Sequence, residues 1–507
     1  MRYRSLATSL FSTLVIAACL AEDTNQGAYD DDENDDTVGA PDDNKADEAG
    51  TGPKTYRSGC GAPIRTGTYV LHGDVVLPTG VARGYYLTVT DEKIAAISPI
   101  APKTATVVET NGIIFPGLID GHGHVEYNHI PLADLGKRYQ DRDQWPGASK
   151  YKTLVKDPKN AVTTAGLQCE ALRHGEARAL VGGTTAIQGT PQTACVRSLV
   201  RNIEGENFCQ DRIRQNVTDI SGFSRSISGK PSFAQSIKSD IAANKLDAFV
   251  VHAGEGIDEH ARAEWDQLVS QGLNVPELVM IHTAAFGAKE YSEAAAAGAK
   301  IVWSPLSNLL LYGKTADVPT AMKAGVMVSL GSDWAPSGSA NLLGELKVAD
   351  RANQRLWSNY ITDEQLVDMV TINPATAFGW DRFVGSIEVG KYADLMVVTA
   401  QPGMSPYRSL IQAKPQDVLL VTISGDPLYG APAVMDGLGK KGDYEVIDAC
   451  GAPRAIDMTV SAKDVTSGTE TLSSIESKLL TVNPKLTPVI DCDNDEATKA
   501  YAGTPLQ

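Results

Sequence analysis

Four apolar runs in this 507-residue sequence end in a histidine or an aspartate. In PGLIDGHGH, His122 and His124 stand two apart after the run Ile113 to Ile119, so in extended chain both imidazoles project to one side and could chelate a single metal. Val250-Val251 leads into His252, with Glu255 three residues on; Leu278 to Ile281 leads into His282; and Val326 to Leu330 passes through Gly331-Ser332 to Asp333. Imidazoles with a carboxylate suit zinc or iron. A divalent metal in such company activates water for hydrolysis. An isolated HxH pair is a weak signal. Four such strand ends together are hard to explain by packing, because the C-terminal rim of a parallel barrel is where active sites gather.

The elements that must position these residues are parallel strands. From Ile113 onward, apolar runs alternate with helical patterns: a helix near Ala165 to Leu180, a strand at Thr184 to Gln188, and so on through Val326 to Leu330. This predicts an α/β chain with a (β/α)8 TIM-type barrel over residues 113–380. Seven central strands are convincing, and the interval from Val217 to His252 holds one unit fewer than eight require. No repeat of fixed period occurs. Short strands at Tyr69 to Val76, Tyr85 to Val89 and Lys93 to Ile97 precede the barrel, and strands at Asp394 to Val398 and Val418 to Ile423 follow it. A small flanking β-domain built from residues 56–112 and 381–430 is the simplest architecture. Residues 431–507 are polar and weakly periodic, and read as a C-terminal extension.

Arg2 and Arg4 precede an apolar run ending Ile16-Ala17-Ala18-Cys19, which reads as a secretory signal peptide over 1–18. The small residues before Cys19 resemble a bacterial lipobox, so the expectation is an exported protein lipid-anchored at Cys19, in the outer membrane since Leu20 rather than Asp follows; a plain cleaved signal is the alternative. Between Glu22 and Glu48 lie twelve acidic side chains and one lysine, Lys45, so most of the net charge of −17 belongs to a solvated tether over 19–55 rather than to a substrate site. The acidic balance and the lack of basic clusters argue against nucleic-acid binding. Six further cysteines in an exported chain favour disulfides, with the short separations Cys195 to Cys209 and Cys450 to Cys492 the first expectations.

At this point the chain resembles the amidohydrolase superfamily, in the branch holding nucleobase and nucleoside deaminases and triazine hydrolases. The marks are PGLIDGHGH, VHAGEG, IHTAAF, SPLSNLLLYG, LGSDW, and NPATAFG followed by GSIEVGKYADLMVV, spanning roughly Tyr69 to Leu428. The resemblance implies metal ligation by His122, His124, His252 and Asp333, with Glu255 and His282 beside the reaction centre. In that arrangement Asp333 accepts the water proton, His282 polarises the substrate carbonyl or ring C=N, and Glu255 carries a proton to the leaving nitrogen. Binuclear members bridge two metals with a carboxylated lysine ending a middle strand; Lys245 precedes its strand instead, which favours one metal, zinc ahead of iron.

Two departures leave the substrate open: no further histidine follows the fourth strand, and Gln188 stands where relatives usually carry Asp. His72, His129, His174 and His260 read as structural or exposed, with His129 near the rim. Trp303, Asn308 and Trp334 could line a pocket or brace loops. The expectation is a hydrolase cutting a non-peptide carbon-nitrogen bond in a small molecule, by deamination of a heterocycle or opening of an amide. A dipeptidase-like or imidazolone-ring hydrolase is the alternative within enzymes, and a catalytically inactive surface metal-binding lipoprotein the alternative outside them. The oligomeric state is not legible.

Overall fold

The computed structural model describes residues 65–103, 105–190, 199–216, 220–226, 230–458 and 471–492. The expected signal peptide, Cys19, the acidic tether, Cys60 and Cys195 lie outside the described residues. Among the described residues no helix is long and apolar enough to cross a membrane.

Four strands open the described chain: Thr68–Leu77 (β1), Gly80–Thr90 (β2), Lys93–Ser98 (β3) and Val107–Pro116 (β4). Eight short strands follow: Leu118–Asp120 (β5), Thr184–Ile187 (β6), Arg201–Asn202 (β7), Ile213–Asn216 (β8), Ala248–Ala253 (β9), Leu278–His282 (β10), Lys300–Trp303 (β11) and Val328–Leu330 (β12). The last five are Leu395–Thr399 (β13), Val418–Ile423 (β14), Asp426–Gly430 (β15), Glu445–Ala449 (β16) and Ala452–Ile456 (β17). The outer strands from both ends of the chain make one nine-stranded sheet in the order β16-β17-β15-β14-β13-β4-β1-β2-β3. Two strands of the polar C-terminal segment, β16 and β17, thus extend this sheet.

The middle eight strands are parallel and fall into a three-stranded sheet, β5-β6-β7, and a five-stranded one, β12-β11-β10-β9-β8. A backbone bond from Gly121 N to Leu330 O (2.9 Å) and a parallel bridge between Gly123 and Asp333 join the two sheets at β5 and β12. The unit that the sequence left uncounted lies ahead of Val217, not after it. Strands β7 and β8 are only two and four residues long, and Arg201-Asn202 and Arg214-Gln215-Asn216 carry no apolar run that could announce them. The run Ile113 to Ile119 also divides: residues through Pro116 pair with β1 and β13, and only Leu118–Asp120 enters the central sheets.

The central strands are apolar on both faces, as parallel strands covered on both sides must be. On β9, Phe249 and Val251 pack with the large cluster that includes helix residues Trp265 and Leu268, while Ala248 and Val250 pack with Ile119, Val279, Ile281 and Val302. Two-residue alternation therefore places His252 on the side of Ala248 and Val250. Between strands run the helices Gln168–Val181, Phe233–Ala242, Glu259–Ser270 and Ala288–Ala297. The last ends at Gly298 in the left-handed conformation, a helix stop that a side chain would strain.

Central strands and outer sheet are tied through Arg201 of β7, which is fully buried. Its Nε and Nη2 donate to Asp394 at 2.7 and 3.0 Å, and Nη2 also donates to Ser424 Oγ at 2.7 Å. The C-terminal segment is held by a Cys450–Cys492 disulfide, as the sequence spacing suggested. Cys169 and Cys209 are also disulfide-bonded, but the expected pairing of Cys209 with Cys195 involves a residue outside those described. Helix Leu472–Leu480 packs along Gln168–Val181, and Asn483 Nδ2 donates to the His129 carbonyl at 3.0 Å.

Candidate metal centre and active site

The chain brings all six expected residues to one place, at the C-terminal ends of β5, β9, β10 and β12. Asp120, the last residue of β5, does the joining. Its Oδ1 accepts from the backbone N–H of His122 (3.2 Å) and of Ser332 (2.9 Å), and its Oδ2 accepts from Ser332 Oγ at 2.5 Å. One buried carboxylate thereby sets the loop carrying His122 and His124 against the loop carrying Asp333. The two loops touch so closely that a Cβ on Gly331 would stand 2.6 Å from His122 Cβ, which explains the glycine.

His122 Nε2 lies 3.3 Å, and His124 Nε2 3.7 Å, from Asp333 Oδ1. The rings of His122 and His124, and of His122 and His252, are 4.8 Å apart, and those of His252 and His282 5.2 Å. Two groups of possible ligand atoms lie within 4.8 Å of one another: His122, His124 and Asp333, and His122, His252 and His282. His282 and Asp333 both adopt left-handed backbone, with φ of 71° and 58°. For non-glycine residues this is strained, and such strain gathers at functional sites. At His282 it breaks the strand alternation, under which residues 278, 280 and 282 would all face the helices.

Hydrogen bonds around the imidazoles decide which nitrogens remain available. His122 Nδ1 lies 3.1 Å from Gln188 Oε1, an oxygen that can only accept, so the ring proton sits on Nδ1 and the Nε2 lone pair is free. The Gln188 amide is itself oriented, because its Nε2 donates to Glu204 Oε1 at 2.5 Å and to Gln215 Oε1 at 2.9 Å. His282 is set the other way. The Trp303 indole N–H donates to Thr315 Oγ1 (2.6 Å), which donates to Asn308 Oδ1 (3.4 Å), so the Asn308 amide nitrogen faces His282 Nδ1 at 3.1 Å. His282 Nδ1 therefore accepts, and its proton is on Nε2, 3.6 Å from Glu255 Oε2.

The cluster is buried and its charges are displaced accordingly. Burial pushes His124 and His282 down to about 3 and lowers His252 well below its ordinary value, so these rings are neutral. Burial alone would raise Asp333, but the facing His122 ring holds its carboxyl well below the usual range, and Asp333 in turn raises His122 against that ring's own burial. Burial lifts Glu255 to about 7 against the opposing pull of Arg142 and a hydrogen bond from Tyr312. His122 Nε2 and His252 Nδ1 are buried and make no hydrogen bond among the described residues. Imidazoles gathered about an ionised carboxylate, three of them held neutral, with bare ring nitrogens, fit a divalent cation and little else.

Several residues of the site carried no signal in the sequence. Arg142 lies 110 residues before His252, yet its Nη1 donates to the His252 carbonyl at 3.2 Å and its Nη2 to Glu264 Oε1 at 2.6 Å. Glu264 Oε2 in turn accepts from Gly254 N at 2.6 Å, so this pair holds the turn from His252 to Glu255. Gln188 stood out only as a departure, Tyr312 not at all, and Asn308, left between bracing and pocket, orients His282. Trp334 stands over His124 with ring centroids 6.3 Å apart, whereas Trp303 is a buried brace. His129 and His174 are buried, whereas His72 is half-buried and His260 exposed, pairing with Glu109 and Asp143 respectively.

A bare, buried cluster of imidazoles and a carboxylate at the ends of parallel strands defines a metal-dependent hydrolase. The chain belongs to the amidohydrolase family, which it matches over residues 113–428. It is 26% identical over 423 residues to a 5-methylthioadenosine/S-adenosylhomocysteine deaminase of Nitratidesulfovibrio vulgaris, covering 72% of this chain and 90% of that one. With the protein of the same name from Thermoanaerobacter pseudethanolicus it is 36% identical over 135 residues, covering 24% of this chain and only 31% of that protein. Among solved structures, an adenosine deaminase of Xanthomonas campestris with bound zinc aligns at a TM-score of 0.54 and 18% identity, over 82% of this chain and 98% of the other. These findings bear out the expected family and its chemistry, hydrolysis of a carbon-nitrogen bond outside peptides.

Proposed function

We propose that this chain uses one divalent ion, zinc, held by His122, His124, His252 and Asp333, to hydrolyse a carbon-nitrogen bond of a nitrogen heterocycle, with deamination as the leading reaction and opening of a cyclic amide as its variant. The observation that carries the reading is the meeting at His122 of two groups of possible ligand atoms, one with His124 and Asp333 and one with His252 and His282, with ring nitrogens of His122 and His252 left bare. The N–H on His282 Nε2 favours this ligand set over one that includes His282. Lys245 precedes β9 instead of ending a strand, which supports a single ion. The bound zinc of the Xanthomonas structure supports the choice of metal. We further read the eight parallel strands as one closed barrel, completed beside β7 and β8.

A divalent ion held there supplies Lewis acidity and makes a water acidic enough to attack near neutral pH. The residues do the rest. Asp333, ionised and between two imidazoles, accepts the proton released by the attacking water. His282 donates from Nε2 to the carbonyl oxygen or ring nitrogen that gains electron density. Glu255, with a proton affinity near neutrality, hands a proton to the leaving nitrogen, so that a C–O bond replaces the C–N bond and ammonia or an amine departs neutral. Trp334 and Tyr127, beside His124, provide aromatic faces suited to a planar ring.

Export with a lipid anchor at Cys19, in an outer membrane, remains the reading of residues 1–55, and the Cys450–Cys492 disulfide supports an oxidising compartment. A panel of aminated purines, pyrimidines and triazines, cyclic amides and N-acyl amino acids, assayed for ammonia or amine release by zinc-loaded protein, tests the function. Release from a heterocycle that is lost in Asp333→Ala is the expected result. Silence across the panel with zinc bound would contradict it.

A further inference from the structure

Tyr312 ends the SPLSNLLLY segment, just past helix Pro305–Leu311, and the chemistry described above leaves it unused. Its side chain is buried beside Tyr139 and Leu311. Its hydroxyl donates to Glu255 Oε1 at 2.6 Å, and the phenolic oxygen itself accepts from Trp145 Nε1 at 3.0 Å. An indole N–H can only donate, so the one phenolic proton is committed to Glu255. Burial and the adjoining Glu255 carboxyl hold the phenol far above its ordinary value, so it keeps that proton.

This leaves the carboxyl of Glu255 with two unlike oxygens. Oε1 is occupied as an acceptor, while Oε2 lies 3.6 Å from His282 Nε2, on the side of the imidazole cluster. A carboxylic acid whose Oε1 already accepts a strong hydrogen bond carries its own proton on the other oxygen. Without the phenol, the carboxyl could bind the proton on either oxygen or turn about its last torsion, which is broad for glutamate. We propose that Tyr312 is a positioning residue that confines the exchangeable proton of Glu255 to Oε2, with Trp145, reaching in from the segment after β5, fixing the phenol in turn. The proposal rests on the reading of Glu255 as the proton carrier to the leaving group.

The test separates a proton-positioning role from a packing role through the leaving group. Steady-state kinetics are measured on the zinc-loaded protein and on Tyr312→Phe, which keeps the ring. The probes are the best aminated heterocycle of the panel above and its analogue with chloride in place of the amino group, a leaving group that needs no proton. The expected result is a fall of about tenfold or more in kcat for the amino compound, KM within twofold, and a chloro compound hydrolysed within twofold of the unsubstituted protein. Trp145→Phe, which removes the N–H along with part of the ring, should move kcat on the amino compound in the same direction by less while sparing the chloro compound, and serves if Tyr312→Phe fails to fold. An equal loss on both compounds, a change confined to KM, or unchanged kcat on the amino compound would overturn the proposal. Glu255→Gln identifies the source of a failure. If it too leaves the amino compound unaffected, the role of Glu255 is wrong; if it abolishes that activity while Tyr312→Phe is silent, only the role of Tyr312 is wrong.

Discussion

Replacing Gln188 by leucine should deprive this protein of its metal while leaving it folded. The amide makes three side-chain hydrogen bonds: its oxygen takes the His122 Nδ1 proton at 3.1 Å, and its nitrogen donates to Glu204 at 2.5 Å and Gln215 at 2.9 Å. Leucine fills the space but offers no acceptor, so the His122 proton is free to move to Nε2, the nitrogen that must be bare to bind an ion. Loss of a hydrogen-bond partner behind a metal-ligating histidine weakens metal binding by roughly 10- to 100-fold, or about 1.4 to 2.8 kcal/mol. The fold loses a comparable amount, which a chain of this size tolerates. Glu204 retains the Gly189 N–H at 2.8 Å, and burial already places its carboxyl at about 7, so it can answer the missing donor by taking a proton. We expect about 1 to 3 kcal/mol of destabilisation, the range for one buried polar group left short of a partner. Competition against a chromogenic chelator gives the zinc affinity, and urea unfolding of the metal-free protein gives the stability. Zinc affinity equal to that of the unsubstituted protein would refute the argument that Gln188 selects the His122 tautomer.

Other consequences follow from the same contacts. Arg142→Met frees the His252 carbonyl and the Glu264 carboxylate, and should lower zinc affinity and kcat together by about tenfold or more, read by metal analysis and panel kinetics; an effect on KM alone would contradict the geometry. Converting Cys450 and Cys492 to serine opens a cross-link across a sequence separation of 42 residues and should cost up to about 4 kcal/mol in denaturant unfolding, with zinc content unchanged. Burial raises Glu345 from 4.5 to about 8, so the native state binds this proton more tightly than the unfolded chain. Its contribution to stability is complete below pH 4.5 and lost as pH rises through 8. Glu345→Gln should therefore flatten the pH dependence of urea stability of the metal-free protein over that window, and an unchanged slope would count against the buried neutral carboxyl.

The ligands were legible because each ends or closely follows an apolar strand, and strand ends of a parallel sheet gather on one side whatever lies between them. Glu255 was legible because it follows His252 within one turn. The supporting residues were not. Arg142, Gln188, Asn308 and Tyr312 act through contacts 26 to 110 residues away in the chain; Gln188 showed only as a departure and Asn308 only as a residue for a pocket or a brace, and nothing local gave any of the four its role. Strand β7 escaped notice for another reason: its two residues are held by buried polar contacts of Arg201, so hydrophobic periodicity had nothing to report. The division of Ile113 to Ile119 between two sheets was hidden because both environments demand the same apolar residues.

The central claim is that one ion at His122, His124, His252 and Asp333 drives hydrolysis of a carbon-nitrogen bond. The most direct measurement is ammonia release from the best heterocycle of the panel by chelator-stripped protein, titrated with zinc. Activity should be absent at the start, rise linearly and stop rising at one equivalent. A break at two equivalents would contradict the single ion, and full activity in the stripped protein would contradict the metal mechanism itself.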